Sequence, residues 1–355
     1  MRKLNSFLFG LVSLLLFLST SCDNELQLAA DYKDITVTYA ILNPKDSVHY
    51  FKIYKGYLTS ENAFEAAFDW NNIYYPVDSV EVRFEEYSEN GTLLRTAILD
   101  TTTQVDKLNG NFANPKQLLY YSTWKLDVDN TYRLIIKRLN TGKEVYAKIP
   151  LVGNFSVKYP MQSWNMNQEN YSTIKFYSAP NAAAYDLYLH FYYIEVDKRT
   201  GSIEHKVLTK KLNSGFVFPT SSDEVSYMGF APKSFYTIVG QSLTPNDNVV
   251  RYIDAINGVP FTCIRLQLWA ADKMFLNYYN VSNPSASIVQ NRLEYTNFVS
   301  EDKDAYGILS SRNTCVRDFQ FSSLDHNEDT LVKGARTSGL GFDYYRNSPL
   351  FPFVK

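Results

Sequence analysis

An all-β fold is what this sequence predicts. Tyr, Phe and Trp make up 15% of the 355 residues, with 28 Tyr and 23 Phe, and ring side chains pack better on pleated sheets than on helices. Apolar residues recur with period two in short runs, and Asn/Gly turn signals separate those runs. The length leaves room for two β-sandwich domains with a few short helices, each burying its own core.

The first element is of a different kind. Arg2 and Lys3 precede an apolar run over residues 7–18, and Ser19-Thr20-Ser21 lead into Cys22. This is the layout of a secretory signal. The run is too short for a bilayer span, which needs about 20 residues in helical form. Small residues followed at once by cysteine also resemble the lipobox of bacterial lipoproteins. That resemblance implies a signal peptide over 1–21, lipid on Cys22 and a polar tether over 22–33. An ordinary secretory signal with a coincidental Cys22 is the alternative. Several acyl chains would hold the protein on its membrane, where one holds only marginally. Asp23 and Glu25 partly resemble the acidic signal that sends Bacteroidota lipoproteins to the cell surface.

From residue 35 onward, strand-like runs cover 35–42, 48–54, 80–87 and 92–99. Val80, Val82 and Phe84 alternate with Glu81, Arg83 and Glu85, the period of a half-buried strand. Glu89-Asn90-Gly91 supplies a hairpin, because Asn and Gly tolerate the positive φ that such turns require. Residues 59–69 read as a helix capped by Thr59 or Ser60. Ala63, Phe64, Ala67 and Phe68 form its apolar stripe, expected to pack across the sandwich. Trp70, Tyr74 and Tyr75 then fall in a loop ended by Pro76. Runs over 132–139 and 144–149 flank the turn Asn140-Thr141-Gly142. Pro150-Leu151-Val152-Gly153 reads as a boundary between a first domain over 34–152 and a second over 153–355.

The second half repeats the style. Residues 174–177 and 185–196 are strand-like, and Lys198-Arg199-Thr200-Gly201 turns the chain into 203–212. The run over 185–196 is apolar or aromatic on both faces, so it is expected to be covered on both sides. Residues 234–242 read as a helix, 261–270 as a strand and 273–279 as a helical turn.

The order of these features resembles an uncharacterised family of two-domain Bacteroidota surface lipoproteins. The residues that carry the likeness are Leu42-Asn43-Pro44, Thr131-Tyr132-Arg133-Leu134, Pro150-Leu151-Val152-Gly153, Phe191-Tyr192-Tyr193, Gly307-Ile308-Leu309-Ser310-Ser311-Arg312 and Gly339-Leu340-Gly341-Phe342. The resemblance implies an outer-membrane lipoprotein with an immunoglobulin-like first domain and a fibronectin-like second one, with an association to TonB-dependent importers. It supplies no catalytic residues. Asp46-Ser47-Val48, Asp78-Ser79-Val80, Asp100-Thr101-Thr102 and Asp329-Thr330-Leu331 also match the short Bacteroidota O-glycosylation pattern, which strand beginnings produce readily.

Several functions lose their footing. The net charge is −2 and no long basic run occurs, so nucleic acid is not expected as a partner. His49, His190, His205 and His326 show no metal-ligand spacing. Neither a P-loop, a G-x-G-x-x-G nor a G-x-S-x-G elbow is present, and no cofactor or metal is implied. Asp325, Asn327 and Asp329 begin like a calcium loop, but Thr330 and Arg336 stand where Gly and Glu are needed, which leaves an acidic turn. Glu85 and Glu86 fall on opposite strand faces and make no acid/base couple. With Cys22 assigned to lipid, Cys263 and Cys315 read as buried thiols.

Clustered aromatics remain. Trp70 with Tyr74 and Tyr75, Tyr120-Tyr121 with Trp124, and Tyr278-Tyr279 either stack on a ligand or pack in the core. The expected function is a non-catalytic binding or accessory protein of the outer membrane, handling glycans or docking on an importer, with Trp70, Tyr74, Tyr75 and Trp124 as stacking candidates. The alternative is a structural or adhesive part of a surface assembly.

Overall fold

A computed structural model describes residues 34–57, 62–107, 116–213, 215–219, 225–259, 261–282 and 295–351. The expected signal peptide, Cys22 and the tether lie outside these residues. The all-β expectation holds, with 45% strand against 17% helix. Among the described residues, no helix is long and apolar enough to cross a membrane.

The first half runs β1 (Thr36–Leu42), β2 (His49–Lys55), α1 (Ala63–Ala66), α2 (Trp70–Ile73), β3 (Val80–Tyr87), β4 (Leu93–Ile98), β5 (Asp100–Thr102), β6 (Leu119–Ser122), β7 (Thr131–Arg138) and β8 (Glu144–Pro150). After it come β9 (Val157–Tyr159), β10 (Ser163–Trp164), β11 (Ser172–Tyr177), β12 (Ala182–Asp197), β13 (Ile203–Lys211) and β14 (Val225–Phe230). The chain then continues through α3 (Ser234–Ser242), β15 (Val249–Ile253), β16 (Thr262–Asp272), α4 (Lys273–Ser282), β17 (Val299–Ser300), β18 (Ala305–Phe321) and α5 (Leu324–Lys333). The turns at Gly91, Gly142 and Gly201 all have positive φ, near +70° to +83°, and the three hairpins form around them.

A ten-stranded sheet in the order β13-β12-β16-β18-β1-β2-β6-β5 runs through both halves, with β10 on β18 and β15 on β12. Against its β1-β2-β6 part packs a five-stranded sheet, β17-β8-β7-β3-β4. Phe51, Ile53, Val82, Phe84, Leu134 and Ile149 fill the first core between them. A second core lies under β12, β16 and the far end of β18. It is covered by the small sheet β14-β11-β9 together with α3 and α5. Its centre is Tyr185, Leu187, Phe191, Leu266, Phe235 and Phe319.

β18 joins the two. It pairs in parallel with β1 from Thr36↔Ala305 to Leu42↔Ser311, then antiparallel with β16 from Ala271↔Arg312 towards Thr262↔Gln320. Ala305 and Leu309 lie in the first core, Cys315, Phe319 and Phe321 in the second. Gly307 allows the close approach to β1. Its φ is +96°, and a Cβ there would stand 1.9 Å from the Thr38 carbonyl oxygen.

Three expectations change. The cores do separate between Leu151, in the first, and Val152, in the second. The division into 34–152 and 153–355 nevertheless breaks down, because Phe298, β17 and the start of β18 return to complete the first sandwich. The helix expected over 59–69 is a single turn, Ala63–Ala66, capped by Asn62 through Phe64 N–H, and a second turn, Trp70–Ile73, follows beyond that span, capped by Asp69 through Asn71 N–H. Its stripe does not pack, since Phe64 is 67% and Phe68 56% exposed while only Ala67 is buried; Thr59 and Ser60 lie outside the described residues. Covering of the 185–196 run is also uneven. Tyr185, Leu187, Leu189, Phe191 and Tyr193 are buried, whereas on the other face Ile194 is buried and Tyr188, Tyr192 and Val196 are half-exposed.

Asp325, Asn327 and Asp329 lie in helix α5 and not in an acidic turn. Asn327 is buried, accepting from the Tyr236 hydroxyl at 2.8 Å and from Met166 N–H at 3.1 Å. No His/Cys/Asp/Glu group suited to a metal occurs among the described residues. Beside Asn327, Glu328 is buried and accepts from Tyr345 N–H at 2.8 Å. Burial pushes its carboxyl from 4.5 up to about 7.

Two outcomes follow from this architecture. Residues 34–152 expressed alone keep β2 but lack β18, the other strand that β1 pairs with, and Phe298 of the first core, so their circular dichroism and urea transition should show no cooperative fold, unlike those of the whole chain. Between pH 4.5 and about 7 the folded state keeps a proton on Glu328 that the unfolded chain has released. This stabilisation is full below pH 4.5 and disappears as pH rises towards 7, an effect of roughly 3 kcal/mol. Glu328→Gln should flatten that slope and exceed the parent protein in stability at pH 8, read from urea midpoints.

Candidate functional site

The outward face of β12, β16 and β18 carries side chains in rows set by the strand register. One row is Ala184, Ala271 and Arg312; the next is Asp186, Trp269 and Thr314; then come Tyr188, Gln267 and Val316. Two alanines beside two large rings leave a hollow, because side chains stand nearly perpendicular to a sheet and the alanines do not reach its neighbours' height. Phe275 on α4 and Phe216 in the 215–219 segment close the sides. The cleft has a volume of about 240 Å³ and is lined by Tyr188, Trp269, Phe216, Phe275, Asp186 and Arg312, with the alanines beneath.

Each wall is held in place. Phe216 meets Tyr279 edge-on at 5.0 Å, and Phe275 stacks on the same Tyr279 at 6.4 Å. The Arg312 guanidinium lies 4.8 Å over the Trp269 ring, a cation–π contact, and 3.9 Å from Asp46. Asp186 is paired with Lys211 at 2.7 Å and accepts from Asn213 at 3.1 Å, both through Oδ1.

Asp272 sets the position of α4 relative to the sheet. Its Oδ1 accepts from Phe275 N–H at 2.8 Å and from the Ser310 hydroxyl at 2.7 Å, and its Oδ2 from Ser311 N–H at 2.8 Å. Burial pushes this carboxyl up, opposed by those same donors. Phe275 is therefore fixed to β18 by one buried side chain.

None of the four expected stacking residues lines this cleft. Tyr74 is 1% and Tyr75 8% exposed, so neither offers a ring face to a ligand. Tyr74 packs between Trp70 at 4.3 Å and Tyr54 at 5.3 Å. The Tyr75 hydroxyl bonds Asp34 and Thr36. Trp70 is half-buried in the first turn of α2, where a loop was expected. Trp124 is half-buried, with the Arg95 guanidinium 4.0 Å over one ring and Phe84 at 5.1 Å. The four residues are thus spread over two packing clusters rather than gathered on one surface.

The remaining candidates have structural partners. His49 is buried, bonds the Trp124 carbonyl at 2.9 Å and has its pKa lowered by burial. His190 bridges Thr209 and Gln267, and burial lowers its pKa also. His205 pairs with Asp254 at 2.7 Å. Cys263 and Cys315 are buried free thiols, both with pKa raised by burial. Glu86 takes the Tyr132 hydroxyl at 2.6 Å and Asn130 at 2.8 Å, while Glu85 takes the Tyr87 hydroxyl at 2.6 Å. Of the glycosylation triplets, Ser47 is exposed, whereas the Thr330 hydroxyl bonds Asn167 and the His326 carbonyl inside α5. Trp269 and Tyr188 fall within the expected strand runs over 261–270 and 185–196. The signal for the hollow is Trp269 with Ala271 two positions on, a large ring and a residue too small to fill the same sheet face, while Ala270 between them belongs to the second core.

No protein-family model matches the chain, and no curated protein does. Among solved structures, 61% of the chain aligns with the C-terminal globular domain of an oligosaccharyltransferase from Pyrococcus abyssi, at 12% identity and a TM-score of 0.22. The alignment covers 45% of that protein's chain, less than half its length. CBD12 from CALX1.2 aligns over 80% of this chain and 99% of its own, at 8% identity and a TM-score of 0.15. Likenesses this weak carry no argument about activity.

Proposed function

We propose that this is a surface-held binding protein that takes a single sugar ring in the cleft between β12, β16 and α4. The observation that carries the reading is four ring side chains around an alanine floor with one carboxylate and one guanidinium at the rim. Apolar walls with a few placed polar groups are the usual make-up of small-ligand sites. Sugar rings present C–H faces to aromatic rings and hydroxyls to the polar rim. The volume of about 240 Å³ lies just under the roughly 300–1,000 Å³ typical of ligand pockets, which suits one ring rather than a chain.

Anchoring on the outer membrane through Cys22 extends this reading, and rests on the signal-like residues 1–21 and the lipobox resemblance. Service to a nutrient importer rests on the family resemblance alone. On a glycan array the full chain should retain sugar ligands, and Trp269→Ala should weaken retention roughly tenfold with an unchanged melting curve. Retention equal to the parent protein would remove the cleft from consideration.

One observation favours the structural or adhesive alternative. β4 is an edge strand whose Leu94 and Ile98 are 53% and 67% exposed, without the lysine or proline that normally guards such an edge. On this reading the protein self-associates along β4, and Leu94→Lys should convert sedimenting dimers to monomers. A parent protein that sediments as a monomer at every concentration would dismiss it.

A further inference from the structure

We propose that the outward face of the small sheet β14-β11-β9 is a second carbohydrate surface, shaped for an acidic polysaccharide chain. Its geometry is independent of the cleft. Lys175, on the central strand, stands in register with Tyr159 on β9 and with Tyr227 on β14. All three are exposed, while Ile174, Phe176 and Phe230 point the other way into the second core, joined there by Val157 across a register shift in the β9–β11 pairing. Two phenol rings therefore share one face across two strand spacings, about 9.6 Å, with an ammonium group between them. Tyr171, 80% exposed, lies against Gly229 on the same face.

Tyr159, Met161 and Tyr171 wall a groove of about 500 Å³ that Lys158 and Lys175 also line. No carboxylate occurs among its described lining residues. Glu169, next to Gln168 on its rim, is paired with Lys233. Exposed rings grouped on one face mark an interaction site rather than chance. Rings set apart by a lysine suit a repeating chain better than a protein surface, which needs a continuous packed core to bind stably. Alternate sugars of an extended chain present the same face at intervals, which the tyrosines meet, and uronate or sulfate groups between them meet the lysines.

The test is native affinity electrophoresis of the detergent-solubilised full chain in gels containing polygalacturonate or chondroitin sulfate, with uncharged xylan as the control. At least one acidic polymer should retard the protein, less so as salt is raised. The double substitution Tyr159→Ala with Tyr227→Ala should weaken retardation roughly tenfold. Lys175→Glu should abolish it, with circular dichroism showing each variant folded. Retardation by neither acidic polymer, equal retardation in xylan, or retardation that survives these substitutions in folded protein would overturn the proposal.

Discussion

The structure depends on one strand changing partners. β18 leaves β1 at Ser311 and takes up β16 at Arg312, and the polar residues on either side of Arg312 are fully buried. Ser310, Ser311 and Asn313 have no exposed surface. Buried polar groups are costly unless bonded, and here each has partners from elsewhere in the chain. Asp272 takes Ser310 and Ser311; the Ser311 hydroxyl accepts from Val152 N–H at 2.9 Å; Asn313 donates to the Val152 and Gly153 carbonyls at 3.1 and 2.9 Å. The link between the cores is thus itself tied to the crossing strand. A second tie lies at the other end of β1, where buried Arg138 joins Asp304 at 2.7 Å and Asp34 at 3.4 Å. Removing one partner of such a pair leaves an uncompensated charge in the interior, which is strongly destabilising.

The cleft inherits its rigidity from the same crossing. Arg312 is the residue immediately after the change of partner, Ala271 is paired with it, and Asp272 follows Ala271 into α4. A site on paired strands is held more closely than one on loops. Only Phe216 comes from an irregular segment, and Tyr279 of α4 backs its ring.

What was legible in the sequence was local. Asn90-Gly91, Asn140-Thr141-Gly142 and Thr200-Gly201 announce their hairpins because a turn's backbone demand is met by the residues within it. The exact bounds of α3 were equally plain. β18, the longest described strand, was not legible as one element, because Ser310-Ser311-Arg312-Asn313-Thr314 at its middle shows no apolar alternation and its burial depends on Asp272 and residues 152–153. Asn327 misled for a similar reason: its environment comes from Tyr236 and Met166, distant in sequence, and so an acidic stretch turned out to be a helix. The aromatic clusters did not lead to the cleft, since Tyr74 and Tyr75 are both buried and Trp70 and Trp124 are half-buried against other rings. The cleft draws its rings from three separate segments, which no short motif records.

Because β1 and β18 pair in parallel, the earliest described strand waits for one of the last. Contacts of such long reach slow folding, since the loop between them must be closed before any hydrogen bond rewards it. A chain released from its N-terminus onward would therefore hold β1 with one hydrogen-bonding edge open until residues 305–311 follow, and an open strand edge invites pairing with a neighbouring chain.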